Sequence, residues 1–318
     1  MKEIGGYFEF EELIDKEYYK SLKSVNTSRN ALMYIIYAKK IKKVYIPFYL
    51  CDSISNILEK NKIDFEYYNV DKEFRPIFNS KLKKDEYLYF VNIFGIFDNN
   101  ELKRLNKKYK NIIIDNTHAF FQKPIKDIAT IYSCRKFFGV PDGAYFTCNK
   151  SYNRKLETDK SKDRFKHLLG RYEETASEYY KYFSDLNKKF ANEEIKEMSK
   201  VTHNLMGAID YKNVKKRRIE NYNVLKKELT KYNKLSLKIG SVPFCYPLYI
   251  GEKGEQLRKE LINKNIYVPV LWPNVCKCGQ DIEEEYSKNI LPIPCDQRYN
   301  KEDMKKIIDL INVFMSTN

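Results

Sequence analysis

The sequence predicts an α/β protein in which helices cover both faces of a mostly parallel sheet, followed by a smaller C-terminal α/β domain. Two observations lead to this prediction. In the first half of the chain, short apolar segments alternate with helical stretches, as in parallel sheets built from crossover units. In the second half, long charged helical stretches precede a short region of mixed pattern. The length of 318 residues is sufficient for two domains.

The first half contains short apolar segments that we interpret as strands, over residues 44–46, 65–70, 87–93, 111–115, 128–132 and 143–148. Helices are predicted between several of them, over residues 29–40, 52–61 and 99–109. In open α/β sheets, ligands bind beyond the carboxyl ends of the strands. The residues that follow these strands are therefore the first candidates for a functional site.

The second half begins with two long predicted helices, near residues 163–190 and 194–232. The mixed region that follows contains predicted strands over 242–250 and 266–271 and predicted helices over 253–264 and 301–316. This change of pattern predicts a large domain of residues 1–212 and a small C-terminal domain of residues 213–318.

The formal net charge is +15, which would suit a nucleic-acid-binding surface. The lysines, however, are scattered along the chain and alternate with acidic residues, and no recognised nucleic-acid-binding motif is present. Lys, Asn, Ile and Tyr are all abundant, as expected of an AT-rich genome. We therefore expect no nucleic-acid partner, although a basic surface would attract a phosphorylated small molecule.

No apolar run reaches the roughly 18 residues that a membrane span needs, and the N-terminal residues lack the pattern of a signal peptide. We therefore expect a cytoplasmic protein without a membrane partner. The seven cysteines are irregularly spaced, which suits free thiols in a reducing compartment. The close pair Cys276 and Cys278 has no second ligand pair at a suitable spacing, so we expect ordinary loop cysteines and no metal.

Two neighbouring strand ends carry the residue types of a reactive site. Asp115 ends the apolar strand 111–115, and the next strand leads into Ser133 and Lys136. Alone, Asp115 would be interpreted as a helix cap or a solvated loop residue. Together, the two strand ends offer a carboxylate, a hydroxyl and an amine in one crevice, and the Gly- and Pro-containing loop after Lys136 lets backbone approach a ligand.

A possible anion site lies upstream, where Ser28, Arg29 and Asn30 begin a predicted helix. Backbone N–H groups at a helix start are unpaired and attract anions, and Arg29 adds a fork of donors that suits a phosphate. A plain helix cap at Thr27 or Ser28 is compatible with the same residues. In this order, the motifs describe a phosphate cradle, an acid for a pyridinium nitrogen and an amine for a carbonyl.

These residues give the chain a resemblance to the DegT/StrS-type sugar aminotransferases, which have fold type I of the pyridoxal-phosphate enzymes. Asp115-x-x-His118-Ala119 resembles the family's Asp-x-x-His/Gln-Ala motif, and Asp142-Gly143-Ala144 resembles its acid-Gly-Gly. Three further segments are similar to family segments: Ser28–Leu32 to the phosphate loop, Thr202–Tyr222 to the interdomain helix, and Ile293–Tyr299 to the C-terminal signature.

The resemblance implies a role for each candidate residue. Lys136 would carry pyridoxal 5'-phosphate and act as general base and acid, and Asp115 would hold the protonated ring nitrogen. The other implied cofactor contacts are Ser28, Arg29, Asn30 and Ser133 for the phosphate, His118 against the cofactor, and Tyr49 for stacking on the ring. Phe48 or Cys51 could take the stacking position instead. Arg298 would bind the carboxylate of the amino donor, or would only brace its loop.

The resemblance further implies transfer of an amino group, with glutamate as the expected donor, to a keto sugar that is nucleotide-linked, in the synthesis of surface polysaccharide or glycan. It also implies a homodimer, in which Gly5–Phe8 or residues 199–204 reach the partner's site. The chain departs from the family in its shorter spacing between Ser133 and Lys136 and in having Arg29 where a small hydroxyl is usual. Two alternatives stay open. One is a sugar dehydratase or other lyase, although dehydratase relatives replace the lysine with His, and the other is an inactive relative that binds a sugar nucleotide or nucleic acid.

Overall fold

The computed structural model describes residues 4–275 and 281–317. Its strands are β1 (Lys23–Val25), β2 (Lys43–Pro47), β3 (Asp64–Val70), β4 (Pro76–Ile77), β5 (Glu86–Val91), β6 (Ile112–Asp115), β7 (Ala129–Ser133), β8 (Ala144–Thr147), β9 (Tyr246–Tyr249) and β10 (Ile290–Ile293). Its α-helices are α1 (Ser28–Lys39), α2 (Asp52–Lys60), α3 (Asn99–Tyr109), α4 (Lys166–Glu173), α5 (Tyr180–Phe190), α6 (Lys200–Gly207), α7 (Tyr211–Leu229), α8 (Gly254–Asn263), α9 (Asp281–Asn289) and α10 (Lys301–Thr317). The prediction about Cys276 and Cys278 falls outside the described residues.

The main sheet has the strand order β1-β8-β7-β6-β5-β2-β3-β4. Its central strands, β3, β2, β5, β6 and β7, pair in parallel, whereas β8 and β4 run antiparallel to their neighbours. Helices α1, α2 and α3 each connect two strands that run in the same direction. The predicted α/β architecture is therefore confirmed. The carboxyl ends of β1, β5, β6 and β7 meet the start of β8 at one edge, where a ligand site is expected.

The long helices predicted near residues 163–190 and 194–232 are each interrupted. Residues 163–190 form a short 3-10 turn followed by α4 and α5, and residues 194–232 form α6 and α7 after a non-helical start. Local caps explain the second interruption: Ser199 accepts a hydrogen bond from the backbone N–H of Thr202, and Asp210 accepts one from that of Asn213. No helix in the described ranges is long and apolar enough to span a bilayer.

The C-terminal region differs from the sequence-based prediction in its strands. Residues 266–271 form no strand, since Pro269 lacks the N–H that a ladder needs, and the apolar Val268 is buried as part of a loop. The partner of β9 is instead β10, which was not predicted and pairs with β9 antiparallel. In the main sheet, β1 and β4 were also not predicted, because strands of three and two residues are too short to show a pattern.

Three apolar clusters hold the structure together. The largest surrounds the main sheet, and a second joins α7, α8 and α10 to the two-stranded sheet of β9 and β10. The third, the aromatic cluster, lies behind the loop between β7 and β8 and has as members Tyr19, Phe120, Phe121, Tyr132, Phe137, Phe138 and Tyr145, among others. Val214 of α7 packs in the aromatic cluster, while Leu225 of the same helix packs in the second cluster, which surrounds β9 and β10. The helix thus links the two regions, and the division at residue 212 stays a prediction.

Candidate active site

Asp115 lies at the carboxyl end of the central strand β6, with its side chain buried. The Tyr89 hydroxyl donates to Oδ2 (2.6 Å) and the Thr117 backbone N–H donates to Oδ1 (2.8 Å). Burial raises the pKa of the Asp115 carboxyl, and these hydrogen bonds together with the Lys136 amine oppose the rise. The carboxylate is therefore rigidly oriented and costly to keep charged, unless a cationic ligand group pairs with it.

Lys136 ends the 3-10 turn Cys134–Lys136 that directly follows β7. Its side chain is exposed to solvent, yet the protein surrounds it closely enough that burial lowers the pKa of the amine. Cys51 and Asp115 favour the charged amine and Arg135 disfavours it. Among the described residues, the amine has no hydrogen-bond or ion-pair partner, so it is available to a ligand.

The backbone after Lys136 is fixed by a buried arginine, Arg218, which is only 2% exposed. Its guanidinium donates to Gln297 Oε1 (2.8 Å) and to the carbonyl oxygens of Pro243 (3.1 Å), Phe244 (3.2 Å) and Phe137 (3.4 Å). The Gln297 amide also donates to the Phe137 carbonyl (2.7 Å). Because Phe137 follows Lys136 in the chain, α7 and the C-terminal signature segment both hold the loop that carries the amine.

We predict that Arg218→Met lowers the free energy of unfolding by about 3 kcal/mol or more, since hydrogen bonds from a charged group are each worth roughly 1.5–3 kcal/mol and buried carbonyl groups would lose their donor. Denaturant unfolding measures this change. Arg217→Met is the matched control, because Arg217 makes no hydrogen bond within the described residues and its loss should cost at most about 0.5 kcal/mol. Equal effects of the two substitutions would contradict the role given to Arg218.

The loop between β7 and β8 is also tied to the start of α6. The Ser199 backbone N–H donates to Asp142 Oδ2 (3.0 Å), and the Ser199 hydroxyl (2.7 Å) and the Thr202 hydroxyl donate to Oδ1. Gly143 follows with φ of +112°, and a Cβ there would lie 2.6 Å from Met198 Sδ. A side chain at Gly143 would therefore force the loop away from α6. The acid-Gly pair noted in the sequence thus fixes the loop rather than facing a ligand.

His118 is buried three residues after Asp115, between β6 and β7. Its Nδ1 accepts a hydrogen bond from the Phe94 backbone N–H (3.4 Å), and burial lowers the pKa of the imidazole, with a further contribution from Lys136. The neutral ring therefore carries its proton on Nε2. The Phe244 ring stacks on one face of the imidazole (centroids 4.1 Å apart, planes at 5°), and the Trp272 ring lies parallel to it at 6.0 Å. His118 thus has at most one face left for a cofactor.

The predicted phosphate cradle lies at the start of α1. The Thr27 hydroxyl caps the helix by accepting from the Asn30 backbone N–H (3.1 Å), so Ser28 and Arg29 occupy the first helical turn. Burial lowers the pKa of the half-buried Arg29 guanidinium, whereas Cys51 and Asp52 raise it. Within the described residues, neither the Arg29 guanidinium nor the Ser133 hydroxyl at the end of β7 has a hydrogen-bond partner.

Arg135, next to Lys136, adds a second guanidinium that sequence reasoning missed. Burial, together with the neighbouring Arg29, lowers its pKa to about 10. It donates to Asn187 Oδ1 (3.0 Å) and packs on the Phe190 ring, with its guanidinium carbon 4.7 Å from the ring centroid. Arg29, Arg135 and Lys136 thus form a cluster of three cations, each of which also has one carboxyl group close enough to raise its pKa. Such a cluster favours an anionic ligand.

Three of the predicted site residues are engaged elsewhere. The Asn30 amide donates to Asn26 Oδ1 (2.9 Å) and to the Glu194 carbonyl (2.8 Å), so it holds the helix start against a loop. The Tyr49 ring is buried against Phe74 and Trp272. Arg298 forms a two-point ion pair with Asp296 (2.7 and 2.8 Å), and both of its predicted roles stay predictions. Cys51, the alternative to Tyr49, is half-buried and close enough to Lys136 to affect the pKa of its amine.

The sequence matches no family model and no curated protein, but solved structures share its fold. A putative sugar aminotransferase, Spr1654 from Streptococcus pneumoniae, superposes with a TM-score of 0.61 at 15% identity, over 91% of this chain and 84% of that chain. DesI, determined in the presence of its TDP-sugar product, gives 0.63 at 12% identity, over 92% and 79%. A DegT DnrJ EryC1 StrS aminotransferase from Brucella abortus gives 0.58 at 13% identity, over 92% and 85%.

The chain therefore has the fold of the sugar aminotransferases that it resembles. This finding confirms the predicted fold type I architecture, with the mostly parallel sheet and the C-terminal α/β region. Strand β6 with Asp115, the turn with Lys136 and the start of α1 all lie at one edge of that sheet.

Proposed function

We propose that this protein is a pyridoxal-phosphate-dependent aminotransferase in which Lys136 carries the cofactor. The observation that supports this most is the Lys136 amine without a partner at the carboxyl edge of the sheet, with the buried Asp115 affecting its charge and the Arg135 guanidinium nearby. The likeness in fold to sugar aminotransferases, some solved with the pyridoxal or pyridoxamine form of the cofactor, also supports it.

The residues present fit the groups of pyridoxal phosphate. The Lys136 amine suits the aldehyde, the Asp115 carboxylate suits a protonated ring nitrogen, and Ser133, Arg29 and the first turn of α1 suit the phosphate. Pairing with a pyridinium would offset the cost of keeping the buried Asp115 carboxylate charged. When bound, the cofactor supplies a conjugated ring that withdraws electrons from the reacting carbon of the substrate.

The Lys136 amine is suited to proton transfer because burial lowers its pKa. A larger share of it is uncharged near neutral pH than of an exposed lysine, so it would be able to accept and return a proton beside the reacting carbon of the substrate. Asp115 would hold the ring nitrogen of a bound cofactor in its protonated form, and Arg218 fixes the backbone from which Lys136 projects. We infer that the amino group passes from an amino-acid donor such as glutamate to a nucleotide-linked keto sugar, in the synthesis of a surface polysaccharide or glycan.

We also infer that the protein is a homodimer. The N-terminal segment exposes Ile4, Tyr7 and Phe8 almost completely, at 97%, 98% and 96%. An apolar segment of this kind is a usual mark of a protein–protein contact. Light scattering on the whole chain tests the dimer.

Arg29 offers a direct test of the phosphate cradle. We predict that Arg29→Ala weakens pyridoxal phosphate binding by about 10–100-fold, as expected for the loss of a hydrogen bond between charged groups, and leaves the much weaker binding of pyridoxal unchanged. Titration of the visible absorbance measures both affinities. Arg104→Ala removes the same charge from the exposed face of α3 and should change neither. An equal loss for both ligands would contradict a phosphate contact.

The reaction class is tested by adding amino donors to the coloured protein. Aminotransfer predicts that glutamate or another amino acid removes the visible absorbance and that a keto acid restores it, in stoichiometric amounts. If no amino donor removes the absorbance, the chemistry is that of a lyase. If the protein takes up no pyridoxal phosphate at all, the enzyme proposal is wrong and an inactive ligand-binding relative is the better interpretation.

A further inference from the structure

A second group of reactive residue types lies off the edge strand β1, outside the proposed cofactor site. The Ser24 Oγ is 3.2 Å from His203 Nε2, and His203 Nδ1 is 2.5 Å from Glu17 Oε1. Ser24 belongs to β1, His203 to α6, and Glu17 to the N-terminal segment. A hydroxyl, an imidazole and a carboxylate connected in this order form the arrangement that activates serine nucleophiles.

The hydrogen bonds fix the direction in which protons can move. The Glu17 carboxylate only accepts hydrogen bonds, so the neutral His203 ring carries its proton on Nδ1. The lone pair of Nε2 then faces Ser24, and the serine hydroxyl donates to it. His203 is thus placed to remove the Ser24 proton, and Glu17 is placed to hold the imidazole in that tautomer.

Each member of this group is held by the fold. The Glu17 side chain is 7% exposed, and its Oε2 accepts a second hydrogen bond from the Tyr145 hydroxyl (2.9 Å). Tyr145 lies opposite Ser24 in the antiparallel pairing of β1 and β8. His203 sits on α6, one turn after its Ser199 cap. The His203 side chain is 39% exposed in the single chain.

Ser24 and His203 line a cavity of about 790 Å³. Its wall also contains the cations Lys155 and Lys200 and the aromatic ring of Tyr34. The volume suits a small organic molecule, and the cations favour one with negative charge. The cavity thus places a candidate nucleophile and its base beside a surface that attracts anions.

We propose that Ser24 is a nucleophilic serine and that this cavity hydrolyses small esters that carry a negative charge. Ser24 Oγ attacks the acyl carbon as His203 Nε2 takes its proton, and the bond from the acyl carbon to the leaving oxygen breaks as that oxygen takes the proton from His203. Water then attacks the acyl-serine with His203 again accepting the proton, which releases the carboxylic acid and restores the Ser24 hydroxyl. The cavity cations oppose the negative charge that develops on the acyl oxygen. This proposal does not depend on the cofactor site.

A fluorophosphonate probe tests the nucleophile directly, since it forms a covalent bond only with an activated serine. We expect the whole chain to gain one adduct, located at Ser24 by peptide mass spectrometry, and Ser24→Ala to gain none. The His203→Gln and Glu17→Gln variants should react about 10²–10⁴-fold more slowly, the usual contribution of a general base. Two variants are used because either could disturb folding, which thermal unfolding would reveal.

A purely structural hydrogen-bond chain predicts a different result. Absence of an adduct at Ser24, or equal labelling of the wild type and the folded Gln variants, would overturn the proposal.

The preference of the cavity for a charged substrate is measured with 4-nitrophenyl esters of a dicarboxylic and a monocarboxylic acid. We expect faster turnover of the anionic ester than of the neutral ester. The double variant Lys155→Ala/Lys200→Ala should lose this preference. Faster turnover of the neutral ester would overturn the assignment of an anionic substrate. Ser24→Ala should leave pyridoxal phosphate uptake unchanged, so failure of either proposal is seen separately.

Discussion

Replacing Lys136 with alanine is expected to abolish aminotransfer and the visible absorbance that pyridoxal phosphate gives when attached to the protein. The amine has no partner within the described residues, and burial lowers its pKa, so in the proposed function it would serve as attachment point and as proton carrier. Loss of a positioned general base alone costs about 10²–10⁴-fold in rate, and loss of the attachment point adds to this. Donor-to-acceptor turnover followed by chromatography measures the effect.

The matched control for Lys136→Ala is Lys126→Ala, which removes an exposed lysine from the loop before β7. It should retain full activity and absorbance. Because the Lys136 amine makes no hydrogen bond in the described structure, its removal should leave the midpoint of thermal unfolding nearly unchanged. A folded Lys136→Ala protein with wild-type turnover would show that the reactive lysine lies elsewhere.

Replacing Asp115 with asparagine should give the second largest loss. An opposite charge near a titrating nitrogen typically shifts its pKa by 1–3 units, so without the carboxylate the ring nitrogen would be protonated about 10–1000-fold less. Electron withdrawal by the ring falls accordingly, and turnover should fall by a similar factor. Asparagine keeps an acceptor for the Tyr89 hydroxyl and the Thr117 N–H, which preserves the geometry.

Asp115→Asn should lower turnover but raise the free energy of unfolding. In the folded protein without ligand, burial raises the pKa of the Asp115 carboxyl, so this group favours folding when protonated, and that contribution is lost as pH rises through the folded pKa. Asparagine removes this dependence, and the variant should be more stable than the wild type above that pKa. Denaturant unfolding at several pH values measures the difference. Asp127→Asn, at an exposed position with φ of +65°, is the control; equal stability changes in both variants would contradict a special role for Asp115.

The fold could be predicted from the sequence wherever periodicity is strong. The mostly buried strands β2, β5, β6 and β7 show apolar runs, and α1, α2 and α3 lie where helical spacing placed them. The interruption of the predicted helix 194–232 was missed because it depends on single capping residues, Ser199 and Asp210, inside a charged stretch with the pattern of a continuous helix. The chain between Leu229 and β9 and the pairing of β9 with β10 depend on tertiary packing, which periodicity does not contain.

The site could be predicted where chemistry follows a strand in the sequence. Asp115, Ser133 and Lys136 share one sheet edge because β6 and β7 are parallel neighbours. The contacts of Arg135 and Arg218 were not predicted, because they involve distant segments, although Arg218 lies in the Thr202–Tyr222 segment that resembles the family's interdomain helix. The involvement of Arg298 in an ion pair with Asp296, two residues away, could have been foreseen from that spacing.

The most direct test of the account is the location of the cofactor attachment. The whole chain is incubated with pyridoxal phosphate, reduced with borohydride and digested, and the modified peptide is identified by mass spectrometry. We expect a single stoichiometric modification at Lys136, formed at lower pH than on exposed lysines because its pKa is lowered. A modification that is spread over surface lysines and leaves Lys136 unmodified would contradict the proposed function.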